Sequence, residues 1–82
     1  MTVLVDPAVW PWRERRWAHL VSDHSHEELH AFASRLGLLR VSFQGDHYDV
    51  DEDTRRRAVT LGAHPAPARE LVARLQRAGL RR

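Results

Sequence analysis

The sequence predicts a small α/β domain, with a mixed or parallel sheet of three or four strands packed against three helices. Three observations carry that expectation. Short apolar runs stop abruptly at turn residues, as Thr2-Val3-Leu4-Val5 does at Asp6-Pro7. Other segments repeat apolar residues at i, i+3, i+4 and i+7, with capping residues before them and glycine after them. The two patterns alternate along only 82 residues, which suits one domain over residues 1–80 and a frayed tail at Arg81-Arg82.

The elements follow in order. Thr2–Val5 reads as a buried strand. Residues 7–16, PAVWPWRERR, hold two prolines and a charge run and read as a loop, whose Trp10 and Trp12 either cover a pocket or complete a small core. A second strand is expected from Trp17 to Val21, ending at Ser22-Asp23. Ser25 with Glu28 forms a capping box for a first helix, whose apolar face is Leu29, Phe32, Ala33 and Leu36 and whose end is marked by Gly37. Leu38–Phe43 looks like a third strand, and Gln44-Gly45-Asp46 turns the chain into His47-Tyr48-Asp49-Val50. Asp51 or Asp53 then caps a second helix that Gly62 closes. Ala63–Ala66 is at most a short extended piece. Pro67 opens a third helix with Leu71, Val72, Leu75 and Ala78 on its buried face and Gly79 at its end. Strand, helix, strand favours a right-handed parallel crossover from strand two to strand three, while the direction of strand one stays open.

Composition narrows the classes of function. With no cysteine there is neither a disulfide framework nor a thiolate zinc site, so a metal would have to use imidazole and carboxylate. No stretch has the apolar length of a membrane span, and MTVLVDP lacks the layout of a signal peptide. A cytoplasmic protein without membrane contact is expected. Apolar content of 43% argues against general disorder. All 13 basic residues are arginine and they are unevenly spread. Residues 1–53 carry five against ten acids and residues 54–82 carry eight against Glu70 alone, about −5 and +7 within a net +2. The basic half permits phosphate contact, though solvated helix faces look the same. The aromatic residues lie in the acidic half, so no basic and aromatic platform for nucleic acid is evident.

Candidate chemistry gathers around HLVSDHSHEELH, residues 19–30, and around His47-Tyr48-Asp49. Ligands of open α/β sheets bind beyond the carboxyl ends of strands. Asp6, Asp23 and the turn before His47 stand at such ends, and parallel neighbours would bring them together with His19 along one edge. Imidazole with carboxylate suits zinc, manganese or iron. His26 and His30 have i, i+4 spacing, but the HExxH order is absent, and His24 and His26 read as exposed turn residues. Metal-free proton transfer would use His47 with Asp49, or His19 with Asp23, and Tyr48 could donate to an oxyanion. Each has an ordinary reading beside it: a buried histidine bonded to backbone, or an acid capping a loop. Of Arg55-Arg56-Arg57 at the start of the second helix, Arg56 or Arg57 could hold a phosphate, although solvent is the commoner neighbour. No glycine-rich phosphate loop, nucleophile elbow or zinc-knuckle spacing is present.

Four ordered motifs carry a family resemblance: VxVD at 3–6, WxHLxxD at 17–23, LHxFAxxLGL at 29–38 and FQ...HYD at 43–49. Together with Arg55, Ala58, Leu61-Gly62-Ala63 and Arg69-Glu70-Leu71, they resemble the domain-of-unknown-function 4031 family, short single-domain proteins of bacteria and phages. The resemblance puts the family's polar pattern on Asp6, His19, Asp23, His30, Gln44, His47, Tyr48, Asp49 and Arg55, and leaves out His24, His26 and His64. The chain departs from the pattern at Leu4, Ser22, Thr54 and Pro67-Ala68. The charges missing at the last two places weaken an anion-binding role for the second and third helices.

The functional expectation is a small enzyme or ligand-binding protein acting on an anionic or phosphate-containing small molecule, such as a nucleotide. If catalytic, it would hydrolyse a phosphoester or related bond. His19, His47, Tyr48 and Asp49 are the catalytic candidates, and Asp6, Asp23 and His30 the ligands of a divalent metal (zinc, manganese or magnesium). Arg55 or the helix N-terminus would hold the anion. The rival expectation is an interaction module, a homodimer or a partner-binding protein, in which the same histidines and acids form a satisfied core network. An accessory role with nucleic acid is weaker still.

Overall fold

The computed structural model describes residues 2–81, and in it three helices cover parts of both faces of an open, mixed five-stranded sheet. The elements are β1 (Val3–Val5), β2 (Trp10–Trp12), β3 (Arg15–Ser22), α1 (His26–Arg35), a 3-10 turn (Arg40–Ser42), β4 (Tyr48–Asp51), α2 (Glu52–Thr60), β5 (His64–Pro65) and α3 (Ala68–Arg77). Strand β3 is the centre. Its eight residues are long enough to pair β1 and β2 along one edge and β4 along the other, all antiparallel. The parallel pair is β1 with β5.

Side chains alternate across β3 and so divide the molecule into two layers. Ala18 and Leu20, with Val3, Val5, Tyr48 and Val50, face α1 and α2, where they meet Leu29, Phe32, Ala33, Leu36 and Ala58. Val21 and Leu4 face the other way, onto Ala66, Leu71 and Leu75 of the α3 side. Leu4, Leu20 and Leu29 are fully buried, each favouring the fold by roughly 1.5–3 kcal/mol.

The helix caps fall where the sequence puts them. Ser25 accepts the Glu28 amide at 3.0 Å, and Asp51 accepts the Thr54 amide at 2.9 Å. Gly37 ends α1 at φ 79°, which lets the Leu38 amide return to the Ala33 carbonyl.

Three expectations are corrected. Leu38–Phe43 is not a strand: Leu38 and Phe43 pack on the core, while the run between them coils into the 3-10 turn with Leu39 and Val41 exposed. Both edges of β3, where a parallel crossover would have placed this run, are taken by β1, β2 and β4. Consequently the chain returns through β4 antiparallel to β3, and no parallel crossover joins them. Residues 7–16 are not a loop, since Trp10–Trp12 pairs with Arg15–Trp17. The hairpin turns on Arg13 and Glu14, at φ 51° and 63°, the left-handed pair of a type I′ turn.

Candidate functional site

The antiparallel pairing of β3 with β4 sets His19 directly opposite Asp49. Paired residues point to the same face, here the α3 face. Asp6 arrives from the other edge. Between the pairs Val5–Leu20 and Trp10–Trp17, four residues of the β1–β2 edge stand against two of β3, so the chain bulges at Asp6-Pro7-Ala8. The bulge aims the buried Asp6 carboxylate at His19, accepting its amide at 2.6 Å and meeting its Nδ1 at 2.8 Å. This bond raises the His19 pKa above its ordinary value against the opposing effect of burial. Arg55 Nε donates to the Asp6 carbonyl at 2.7 Å and so braces the bulge from α2.

His47 reaches the same place from the turn ahead of β4, which closes through the Gln44 amide and the His47 carbonyl at 2.8 Å. Its ring lies edge-on to that of His19, with centroids 5.1 Å apart. Nδ1 meets Asp46 at 2.8 Å, and Nε2 lies 3.4 Å from Asp49 Oδ1. Arg81 grips Asp46 with two bonds, at 2.6 and 2.8 Å. Hydrogen bonding to that guanidinium, helped by His47 and opposed by burial, holds the Asp46 carboxyl down at about 2. Asp6, His19, His47 and Arg81 line one hollow of about 130 Å³, closed on the helix side by Leu71, Val72 and Leu75. One ligand atom each from His19, His47 and Asp49 lies within 4.8 Å of the others.

The remaining expected site residues lie elsewhere. Tyr48 alternates with Asp49 and enters the opposite layer, where its hydroxyl meets His30 Nδ1 at 2.7 Å beside Phe43. Burial lowers the His30 pKa. Asp23 accepts the Thr2 amide and pairs with Arg74, both at 2.7 Å. Burial pushes its pKa up, but these two partners outweigh it and hold the carboxyl below its ordinary value. Asp6, Asp23 and His30 therefore do not converge on a metal. The reason is topological: β1 and β3 run antiparallel, so Asp6 and Asp23, each following its strand's last residue, stand at opposite ends of the pair. Arg55, expected to hold an anion, bonds the Asp6 backbone and is not among the residues around the hollow.

Two residues of the arrangement were not anticipated. Asp46 carried a signal, as an acid beside His47 in a glycine turn. Arg81 carried none: expected in a frayed tail, it is tied to Asp46 across the hollow, while Arg82 lies outside the described residues.

Fold and site together define a small α/β protein with a two-histidine, three-carboxylate centre on one face of an open sheet. The chain belongs to the DUF4031 family, described as a protein of unknown function, whose model matches residues 3–78. Neither the curated proteins nor the solved structures offer a match. Arg81 lies beyond the matched residues.

Proposed function

We propose that this protein hydrolyses a phosphoester or related bond of a small anionic molecule, with water activated at His19 and His47. One observation carries the reading: Asp6, His19 and His47 share a hollow of about 130 Å³ with Arg81 on its wall. That volume takes a phosphoryl group and a water molecule, and leaves the rest of the substrate outside. Each histidine meets a carboxylate through Nδ1, so Nε2 is the nitrogen left to act on water, directly or through an ion. In the reaction the water oxygen bonds to phosphorus and gives up its proton, the ester P–O bond breaks, and the leaving oxygen takes a proton. Arg81, bound to Asp46 through Nε and one terminal nitrogen, offers its remaining N–H groups to the phosphoryl oxygens. Among the described residues no helix is long and apolar enough to cross a membrane, and a cytoplasmic setting goes with this reading.

The test is turnover of p-nitrophenyl phosphate, its diester and a panel of nucleotides, with and without added zinc, manganese or magnesium. The wild-type protein should turn over at least one, and His19→Ala should lose that activity while keeping its fold. Absence of turnover throughout, or full activity in His19→Ala, would overturn the reading. A second reading, an interaction module, is favoured by Leu39 and Val41, 70% and 85% exposed on the 3-10 turn. It predicts a dimer in light scattering that Val41→Glu dissociates.

A further inference from the structure

We propose that His19, His47 and Asp49 bind one divalent transition-metal ion, zinc by the character of the donors, with a fourth position open to water from the hollow. The inference deepens the hydrolytic reading by naming what activates the water. Its evidence is the geometry of three side chains.

Both imidazoles are held in the same sense. His19 meets Asp6 and His47 meets Asp46 through Nδ1, each at 2.8 Å. A carboxylate at Nδ1 keeps the proton there and leaves the Nε2 lone pair free, the arrangement that metal-bound histidines show. The rings also sit at the right separation. Two imidazoles bound through Nε2 to one tetrahedral ion, at about 2.05 Å from it, have centroids roughly 5.2 Å apart. Here they are 5.1 Å apart and inclined by 76°.

The third donor is a carboxylate oxygen that accepts no hydrogen bond. Asp49 Oδ1 is buried without a hydrogen-bond partner. Such atoms are rare, and each calls for a physical explanation. This one lies 3.4 Å from His47 Nε2, near the roughly 3.3 Å expected between two donors of a tetrahedral zinc ion. No pair of the three ligand atoms is more than 4.8 Å apart, so the widest gap closes by at most about 1.5 Å, a movement that turning a side chain supplies.

Charge and chemistry agree. Two nitrogens and one oxygen suit zinc better than calcium or magnesium, which prefer oxygen throughout. Arg81 faces the same hollow, but its charge is engaged by both oxygens of Asp46. Asp6 and Asp46 are then the positioning residues behind the two histidines. A zinc-bound water loses its proton near neutral pH, which supplies hydroxide for the attack.

The experiment uses full-length untagged protein, stripped with chelator and titrated with zinc and with cobalt as a spectroscopic probe. We expect one ion per chain, the absorption of tetrahedral cobalt, and a melting temperature raised by several degrees. His47→Ala and Asp49→Asn should each weaken binding by more than 100-fold, and Asp46→Asn by roughly 10- to 100-fold. Asp51→Asn, on the same strand and face but outside the cluster, should bind as wild type. Should His47→Ala fail to fold, Asp49→Asn decides. Failure of the wild-type protein to bind either ion at micromolar concentration would overturn the proposal. So would an ion that Asp49→Asn leaves in place, or one lost instead with His26→Ala. Ion binding without hydrolysis keeps this inference and removes the hydrolytic reading; hydrolysis by the metal-free protein does the reverse.

Discussion

Replacing Arg81 with alanine should cost the fold about 1–2 kcal/mol near neutral pH and almost nothing near pH 2. The Arg81 guanidinium meets both oxygens of Asp46 and is the main reason this carboxyl is held down from 3.8 to about 2. Each tenfold change in acidity is worth about 1.4 kcal/mol, so the whole displacement corresponds to about 2 kcal/mol. Arg81 is one-third exposed, which screens part of this, and Asp46 keeps its His47 partner in the variant. Because the folded carboxyl titrates below the unfolded one, the contribution is complete above about pH 4. It is lost as pH falls through about 2. Urea unfolding of both proteins between pH 7 and pH 2.5 measures it. The midpoints should lie apart at pH 7, with a melting difference of roughly 4–8 °C per kcal/mol, and converge in acid. A gap that is constant with pH, or that widens in acid, would refute the assignment.

Further outcomes follow from single contacts. Glu14→Gly should stabilise the protein by about 0.5–1 kcal/mol in thermal melts, because Glu14 holds φ 63° in the hairpin turn. Tyr48→Phe removes the 2.7 Å bond to His30 and should cost about 1–2 kcal/mol. It should leave ion binding and turnover as in wild type, and loss of turnover in a folded variant would return Tyr48 to the site. Leu20→Ala, at a fully buried position between the sheet and α1, should cost roughly 2–5 kcal/mol. Against roughly 4–12 kcal/mol for a domain of this size, it should lower the unfolding midpoint sharply, as followed by circular dichroism.

Much of the fold was legible because its signals are local. The Ser25–Glu28 box, the Asp51 cap and the glycines after each helix are short-range chemistry, and all three helices stand where these place them. What the sequence hid was pairing. Leu38–Phe43 has the composition of a strand, yet whether an apolar run pairs depends on a free edge elsewhere. Trp10–Trp12 was obscured by Pro11, which a sheet tolerates at an edge. The candidate site divides along the same line. His19, His47 and Asp49 come together, but through an antiparallel ladder and not the parallel edge first expected. Asp46 and Arg81, 35 residues apart, meet only in the folded chain.

The position of the centre is a consequence of the core. Along β3 the residues Ala18 and Leu20, and along β4 Tyr48 and Val50, must enter the larger apolar layer, and this parity fixes the register of the pair. Given that register, His19 and Asp49 have nowhere to point except the opposite face, where α3 covers Leu4 and Val21 and leaves room beside them. A slip of one residue would exchange the layers, burying two ionisable groups among leucines and exposing Tyr48. Burying a charge without a partner costs several kcal/mol, a large fraction of what holds an 82-residue domain together. The apolar residues that make the protein fold are therefore the same ones that hold its imidazoles and carboxylates opposite one another.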